Sequence, residues 1–365
     1  MADADPSIRE VPARLWRPRR VLVTRSARSW AHGEAIAARC AALGLPVTEL
    51  PGDRLDLGDA TYAEAKATLA VVVAPPGKLR FQPIAPSADW RVDLAEGCPG
   101  HCSYCYLAGS LKGPPVTRAY ANLPEIIAAL PAFVGRGTVT SRIAARAAEG
   151  TTFEASCYTD PLGIEHLTGS LSALIAHFGG WDADVQLRFT TKFAAVDPLV
   201  GIAHGGRTRV RFSLNPAVFA RFEGGTAPVA ARLRALRRMA DAGYRCGLTI
   251  APIIAAEGWR DAYGGLLDAV AAALAPSADG LSPAPDPDLT VELITHRFSA
   301  GSKAVLDSWY PGSALDMGPA GRAEKRTKFG AVKHVYDRAT MTDLRGWFEA
   351  TVAAKLPGAR ILYFT

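Results

Sequence analysis

The 365-residue sequence contains six cysteines, and three of them, Cys98, Cys102 and Cys105, fall within the run Glu96-Gly97-Cys98-Pro99-Gly100-His101-Cys102-Ser103-Tyr104-Cys105-Tyr106-Leu107. Thiolates this close can hold one inorganic cluster, and three of them leave a four-iron cluster one ligand short. The open iron can take an exogenous ligand, which turns an electron-transfer centre into a place for chemistry. The alternative is a zinc site in which His101 or a distant residue completes a tetrahedral Cys3His set. Against it, His101 lies between two of the cysteines beside a Pro-Gly turn, and no second C-x2-C or H-x3-H pair supplies the other half of such a site.

The elements around this loop alternate. Val21 to Thr24 is apolar and extended, Gly33 to Leu43 is alanine-rich and helical, and Pro46 to Leu50 is extended again, as in a small α/β lobe. A further apolar run, Leu69 to Ala74, ends at Pro75-Pro76-Gly77, and the segment through Pro86 reads as loop. Beyond it, strands are predicted at Trp90 to Leu94, Thr152 to Cys157, Val185 to Phe189, Arg209 to Ser213, Cys246 to Ile250 and Leu289 to Ile294. Helices are predicted at Leu123 to Phe133, Leu167 to His177, Val229 to Ala242 and Trp259 to Leu274. Six strands alternating with helices imply a parallel sheet, and an open (β/α)6 partial barrel fits the count. Such barrels carry their chemistry at the C-terminal ends of the strands, and the cysteine loop follows the first of them. The chain closes with a helix near Thr342 to Ala354 and an apolar run from Arg360 to Phe364.

Composition sets the bounds. At 49% hydrophobic and 21% charged, the chain can bury a large core and is neither disordered nor fibrous. No apolar stretch is long enough to span a bilayer, and Met1 to Trp16 carries acids and prolines rather than the pattern of a secretory signal, so a cytoplasmic location is expected. Cys40, Cys157 and Cys246 are scattered without a disulfide framework, in keeping with that compartment. The net charge of +6 favours polyanions, and Arg322, Lys325, Arg326, Lys328 and Lys333 crowd one segment near the end of the chain.

The spacing C-x3-C-x2-C, followed by an aromatic residue and a leucine, resembles the signature of the radical S-adenosylmethionine (radical SAM) enzymes, in which the open iron is chelated by the amino and carboxylate groups of S-adenosylmethionine. The flanking motifs resemble one family within that group, the spore photoproduct lyases. These are Pro86-Ser87-Ala88-Asp89-Trp90, Tyr120-Ala121-Asn122, Phe153-Glu154-Ala155-Ser156-Cys157-Tyr158-Thr159-Asp160, Phe189-Thr190-Thr191-Lys192-Phe193, Phe212-Ser213-Leu214-Asn215-Pro216 and Glu292-Leu293-Ile294-Thr295-His296-Arg297-Phe298. A looser match runs from Lys328 to Tyr336.

The resemblance implies an α/β fold: a partial (β/α)6 TIM-type barrel of the radical SAM type over residues 86–300, a small N-terminal α/β lobe over 1–85, and a C-terminal substrate-binding extension over 301–365 that packs on the barrel. It implies a carbon-carbon lyase acting in DNA repair, which returns the thymine dimer 5-thyminyl-5,6-dihydrothymine to two thymines through a 5′-deoxyadenosyl radical. The cofactors would be a 4Fe-4S cluster on Cys98, Cys102 and Cys105 and S-adenosylmethionine, with Tyr104 against both and Thr159, Asp160, Lys192 and Ser213 at S-adenosylmethionine. Cys157 stands at the family's hydrogen-atom donor position, and Tyr106 matches a tyrosine in the same transfer chain. A lone strand cysteine is otherwise a small buried hydrophobe, the reading given to Cys40 and Cys246. Asp89, Glu154, Glu292, His296 and Arg297 are active-site groups or members of a structural network.

A lesion inside a duplex must be extruded to reach such a site. The segment containing Arg322, Lys325, Arg326, Lys328, Phe329 and Lys333 falls where the family contacts the lesion strand. Here the chain departs from the family: Lys328-Phe329 stands for an arginine and a tyrosine, and Ala331-Val332 for a glycine-rich pair. Lysine lacks the planar bidentate grip on phosphate, and phenylalanine lacks a hydroxyl. Expected partners are damaged DNA and a reductant such as flavodoxin or ferredoxin, with the chain a monomer. The alternatives are a radical enzyme of the same family acting on another lesion, an RNA base or a peptide, and a zinc-containing DNA-binding protein.

Overall fold

Strands buried on both faces read as long apolar runs in parallel sheets, and this chain departs from that pattern in a useful way. The computed structural model describes residues 15–110, 114–140, 143–276, 285–326 and 332–365. Six strands, Ala88–Val92, Thr151–Ala155, Val185–Thr191, Thr208–Leu214, Arg245–Ile253 and Thr290–Thr295, pair side by side in chain order, all parallel. Gln82–Ile84 adds an antiparallel edge and Arg360–Phe364 a parallel one, giving eight strands curled into a half-barrel. This is the α/β partial barrel anticipated from the sequence, with strand ends shifted by a few residues. The segment around Gln82, expected as loop, forms a short edge strand, the position in a sheet where Pro83 is tolerated.

The outer face of the sheet is apolar. Leu187, Phe189, Val210, Phe212, Leu248, Ile250, Val291 and Leu293 are buried in one core. Over that core lie the helices Ser170–Gly180, Val229–Asp241, Trp259–Leu274 and Arg338–Lys355. The inner face is charged yet equally buried. Arg188, Arg209, Arg211 and Glu292 alternate with the apolar residues and are at most 1% exposed. Arg211 reaches Glu292 at 2.7 Å, Glu154 at 2.5 Å and the Ser87 hydroxyl at 2.6 Å, while Arg188 reaches Glu149 at 2.6 Å. Gly247 makes room for this network, because a Cβ there would come within 2.9 Å of the Arg211 side chain. Removing one member of such a buried set leaves an uncompensated charge, at a cost of about 3–5 kcal/mol.

A second sheet takes Val47–Glu49, Arg20–Val23, Thr68–Val72 and Thr117–Tyr120 in that order, all parallel, and ends on antiparallel Ala95–Glu96. The helix Ala31–Ala42 covers it through Ile36 and Cys40. The small sheet thus also draws strands from beyond the expected boundary at residue 85, and Arg360–Phe364 of the last segment lies in the larger sheet. The cysteine loop runs between the two sheets, leaving the small one at Glu96 and pairing His101–Cys102 with Glu223–Gly224 from across the barrel mouth. Elements not anticipated include the strand Thr117–Tyr120, the helix Ala300–Trp309 and the antiparallel strands Arg322–Arg326 and Val332–Tyr336. Among the described residues no helix is long and apolar enough to cross a membrane.

Candidate active site

Chemistry in a parallel barrel collects where the strands end, because the loops there converge while the strand bodies are filled. Here the convergence makes a cavity of about 410 Å3. Its lining includes Cys98, Cys102, Tyr104, Cys105, Tyr106, Cys157, Thr159, Asp160, Lys192 and Ser213. These are all the residues anticipated for the cluster, S-adenosylmethionine and hydrogen transfer. Lys325 and Arg326 are exposed and Arg322 and Lys333 half-buried on the antiparallel strand pair instead, and Lys328 and Phe329 fall outside the described residues.

The cluster side is tightly held. Glu223, 5% exposed, gathers four donors: the Tyr104 hydroxyl, Lys192 Nζ at 2.8 Å, Asn215 Nδ2 at 3.1 Å and Arg232 Nη2 at 2.6 Å. Burial alone pushes its carboxyl pKa up, but Lys192 and Arg232 outweigh burial and hold it down to about 2. Lys192 also donates to the Ala251 carbonyl at 3.3 Å and stands 5.4 Å from the Tyr104 ring centroid. Burial together with Cys102 and Glu223 raises Tyr104 well above an ordinary phenol, so its hydroxyl donates. Asp160 is spent on the scaffold: it accepts from the Lys192 amide at 2.6 Å, the Thr191 hydroxyl at 2.8 Å and the Gly163 amide at 3.3 Å. Desolvation lifts its carboxyl to about 6 despite these bonds. Thr159 Oγ1 is buried without a protein partner and lines the cavity, as expected of a group kept for a ligand.

The donor side turns on one backbone irregularity. Ser156, at the end of the Thr151–Ala155 strand, has φ 57°, the left-handed region that non-glycine residues avoid at a cost of about 1–3 kcal/mol. It is held there by its amide on Val92 O at 2.7 Å and by Leu94 N on its hydroxyl at 2.9 Å. The kink leaves Cys157 lining the cavity rather than continuing the strand. Burial, reinforced by Glu154 and Asp93, keeps this thiol protonated far above the usual range. A hydrogen-atom donor must carry its hydrogen, so a depressed pKa would defeat it. Across the mouth, the Tyr106 ring has Lys333 Nζ at 5.0 Å and the Arg297 guanidinium at 5.6 Å.

The three thiols fit an iron-sulfur cluster better than zinc. His101 is not among the cavity residues; its Nδ1 meets the Tyr62 hydroxyl at 3.5 Å, and a Cβ on Gly225 would touch its ring at 2.7 Å. Among the described residues no three or more His, Cys, Asp and Glu side chains are drawn up around a single ion. A four-iron cage instead gives each thiolate its own iron. Burial pushes the Cys98 thiol to about 11 and Cys102 to about 12, so loading iron releases their protons.

The remaining residues sort plainly. Asp89 is structural, accepting from the Val139 amide at 2.7 Å and the Thr152 amide at 3.0 Å. Glu154 and Glu292 line the cavity but are committed to Arg211. His296 takes Arg322 Nη2 at 3.2 Å on Nδ1, and burial lowers its pKa to about 4. Sequence reasoning missed Glu223 and Arg232. Both lie more than a hundred residues along the chain from the cysteine loop, and no local motif marks them.

A curled parallel half-barrel with a three-cysteine loop at its mouth is the architecture of the radical SAM enzymes. The sequence model of the family described as spore photoproduct lyase matches residues 18–365. The chain belongs to the spore photoproduct lyase family. It is 36% identical over 358 residues to the spore photoproduct lyase of Geobacillus sp. (strain Y412MC61), covering 95% of this chain and 98% of that one. It is 38% identical over 305 residues to that of Bacillus subtilis (strain 168), covering 83% and 84%. A solved spore photoproduct lyase variant with bound AdoMet and dinucleoside spore photoproduct superposes with a TM-score of 0.84 at 35% identity, over 96% of this chain and 100% of that one. A structure complexed with dinucleoside spore photoproduct gives 0.85 at the same identity and coverage.

Proposed function

We propose that this chain repairs the spore photoproduct in DNA, returning 5-thyminyl-5,6-dihydrothymine to two thymines, with Cys157 as the hydrogen-atom donor. The observation that carries the reading is the single cavity shared by Cys98, Cys102, Cys105, Cys157 and Tyr106. When bound, the reduced 4Fe-4S cluster and S-adenosylmethionine would supply the 5′-deoxyadenosyl radical chemistry that removes a hydrogen from the dihydrothymine ring. Cys98, Cys102 and Cys105 hold the iron. Lys192, Thr159, Asp160 and Ser213 bind S-adenosylmethionine, Tyr104 lies against it, and Asp160 also accepts from the Lys192 amide. Once the bond between the bases has broken, the Cys157 S–H bond gives its hydrogen atom to the thymine-methyl radical. The Tyr106 hydroxyl then returns a hydrogen atom to the sulfur, and the tyrosyl radical left behind is restored by one electron from the low-potential donor and a proton from solvent. Arg322, Lys325, Arg326 and Lys333 grip the phosphates on either side of the extruded lesion. The division at residues 85 and 300 is proposed as lobe, barrel and substrate extension, with Thr117–Tyr120 joining the lobe's sheet and Arg360–Phe364 the barrel's. The chain works as a cytoplasmic monomer with a flavodoxin- or ferredoxin-type reductant.

The test is to incubate reduced, reconstituted enzyme with S-adenosylmethionine and dinucleoside spore photoproduct. Two thymidines should be released with 5′-deoxyadenosine formed. Formation of 5′-deoxyadenosine without repair would remove the reading in favour of another nucleic-acid lesion, an RNA base or a peptide.

A further inference from the structure

Lys66 closes the short helix Tyr62–Lys66, whose start is fixed by a reciprocal capping box between Thr61 and Glu64. The helix belongs to the N-terminal lobe, yet Lys66 is only 6% exposed and its Nζ donates to the backbone carbonyls of Cys98 and Gly100 in the cysteine loop. Two other lysines at this site have carboxylate partners. Lys78 has Asp93 at 2.9 Å as well as Glu96, and Lys192 has Glu223 at 2.8 Å. Lys66 has none among the described residues. Two carbonyl dipoles take two of its three N–H donors but do not neutralise it, and a buried cation without a counter-charge is strongly disfavoured.

The negative charge that would balance it is the one three thiolates and their cluster bring to the same loop. We propose that Lys66 is the cluster's counter-charge and sets its reduction potential. Reduction adds one electron, delivered by a low-potential one-electron donor, and therefore one negative charge. A fixed cation at the loop favours that state over the oxidised one. The small lobe thus has a task in the chemistry, holding a charge against the cluster from outside the barrel.

The inference rests on the cluster-bearing reading above, and the test separates the two. Wild-type enzyme, Lys66→Gln and Lys66→Arg are reconstituted, iron and sulfide are measured, and the cluster midpoint is found by a redox titration followed by electron paramagnetic resonance. Glutamine keeps a donor for the carbonyls and drops the charge; arginine keeps the charge. We expect Lys66→Gln to lower the equilibrium constant for reduction about tenfold, a negative shift of about 59 mV for one electron, and Lys66→Arg to stay near wild type. If Lys66→Gln holds no cluster while Lys66→Arg does, the charge acts in assembly, and the claim that it sets the potential is overturned. Unchanged midpoints in both variants, or loss of the cluster in both, would overturn it. Wild-type protein that takes up no iron would instead overturn the cluster reading itself.

Discussion

The cavity wall and the hairpin above it are built on opposite principles. In the wall, Glu223 holds Tyr104, Lys192, Asn215 and Arg232, and Arg211 holds Glu154 and Glu292, so each charge has a partner and a fixed geometry. In the hairpin, Lys325 and Arg326 are exposed. Its ties to the barrel run through a Phe298–His334 bridge, Arg322 on His296 at 3.2 Å, the Ala255 amide on the Tyr336 hydroxyl at 2.9 Å and Lys333 over the Tyr106 ring at 5.0 Å. Radical chemistry needs groups that do not move, whereas a surface for a flexible nucleic acid needs charges that can follow it.

If that contrast holds, effects should shrink on passing from wall to hairpin. The largest follows removal of a cluster ligand: Cys105→Ala should bind little iron and form no 5′-deoxyadenosine, read by iron analysis and chromatography. Cys157→Ala comes next. It should still cleave S-adenosylmethionine while clean repair collapses and the product radical is diverted, whereas normal repair would remove Cys157 from its role.

Glu223→Gln should raise the S-adenosylmethionine KM by roughly tenfold or more and cost about 3 kcal/mol of stability, since Lys192 and Arg232 lose their counter-charge. Linkage adds a pH signature. The folded-state pKa of Glu223 is depressed from 4.5 to about 2, so its stabilisation is complete above about pH 4.5 and lost as pH falls toward 2. That acid limb should be present in wild-type melting curves and weakened in the variant. The smallest effects belong to the hairpin. Lys325→Ala and Arg326→Ala should each weaken DNA binding several-fold and reduce the salt slope by about 0.9. A loss as large as that of Glu223→Gln would mean the hairpin is part of the fixed machinery.

The sequence made the barrel and its chemistry legible for a physical reason. Groups at strand ends stand next to the strands that aim them, so Cys157, Lys192 and Ser213 carry their context in short motifs. The supports were hidden because they arrive from elsewhere: Glu223 reaches Tyr104 across 119 residues, and Lys66 reaches Cys98 across 32. What the sequence did not show is where this barrel keeps its charges. Thr208–Leu214 alternates arginine with apolar residues, and all its residues are buried because the arginines find their partners in the barrel interior.

The central claim is that a protonated Cys157 closes the reaction inside the cavity that holds the cluster. It is tested most directly by a single turnover on dinucleoside spore photoproduct in D2O, where the thiol hydrogen exchanges with solvent. Mass spectrometry of the products should find deuterium in the methyl group of one released thymine with wild-type enzyme, and no such labelled repair product with Cys157→Ala. Labelled repair of equal yield in both proteins would contradict the account.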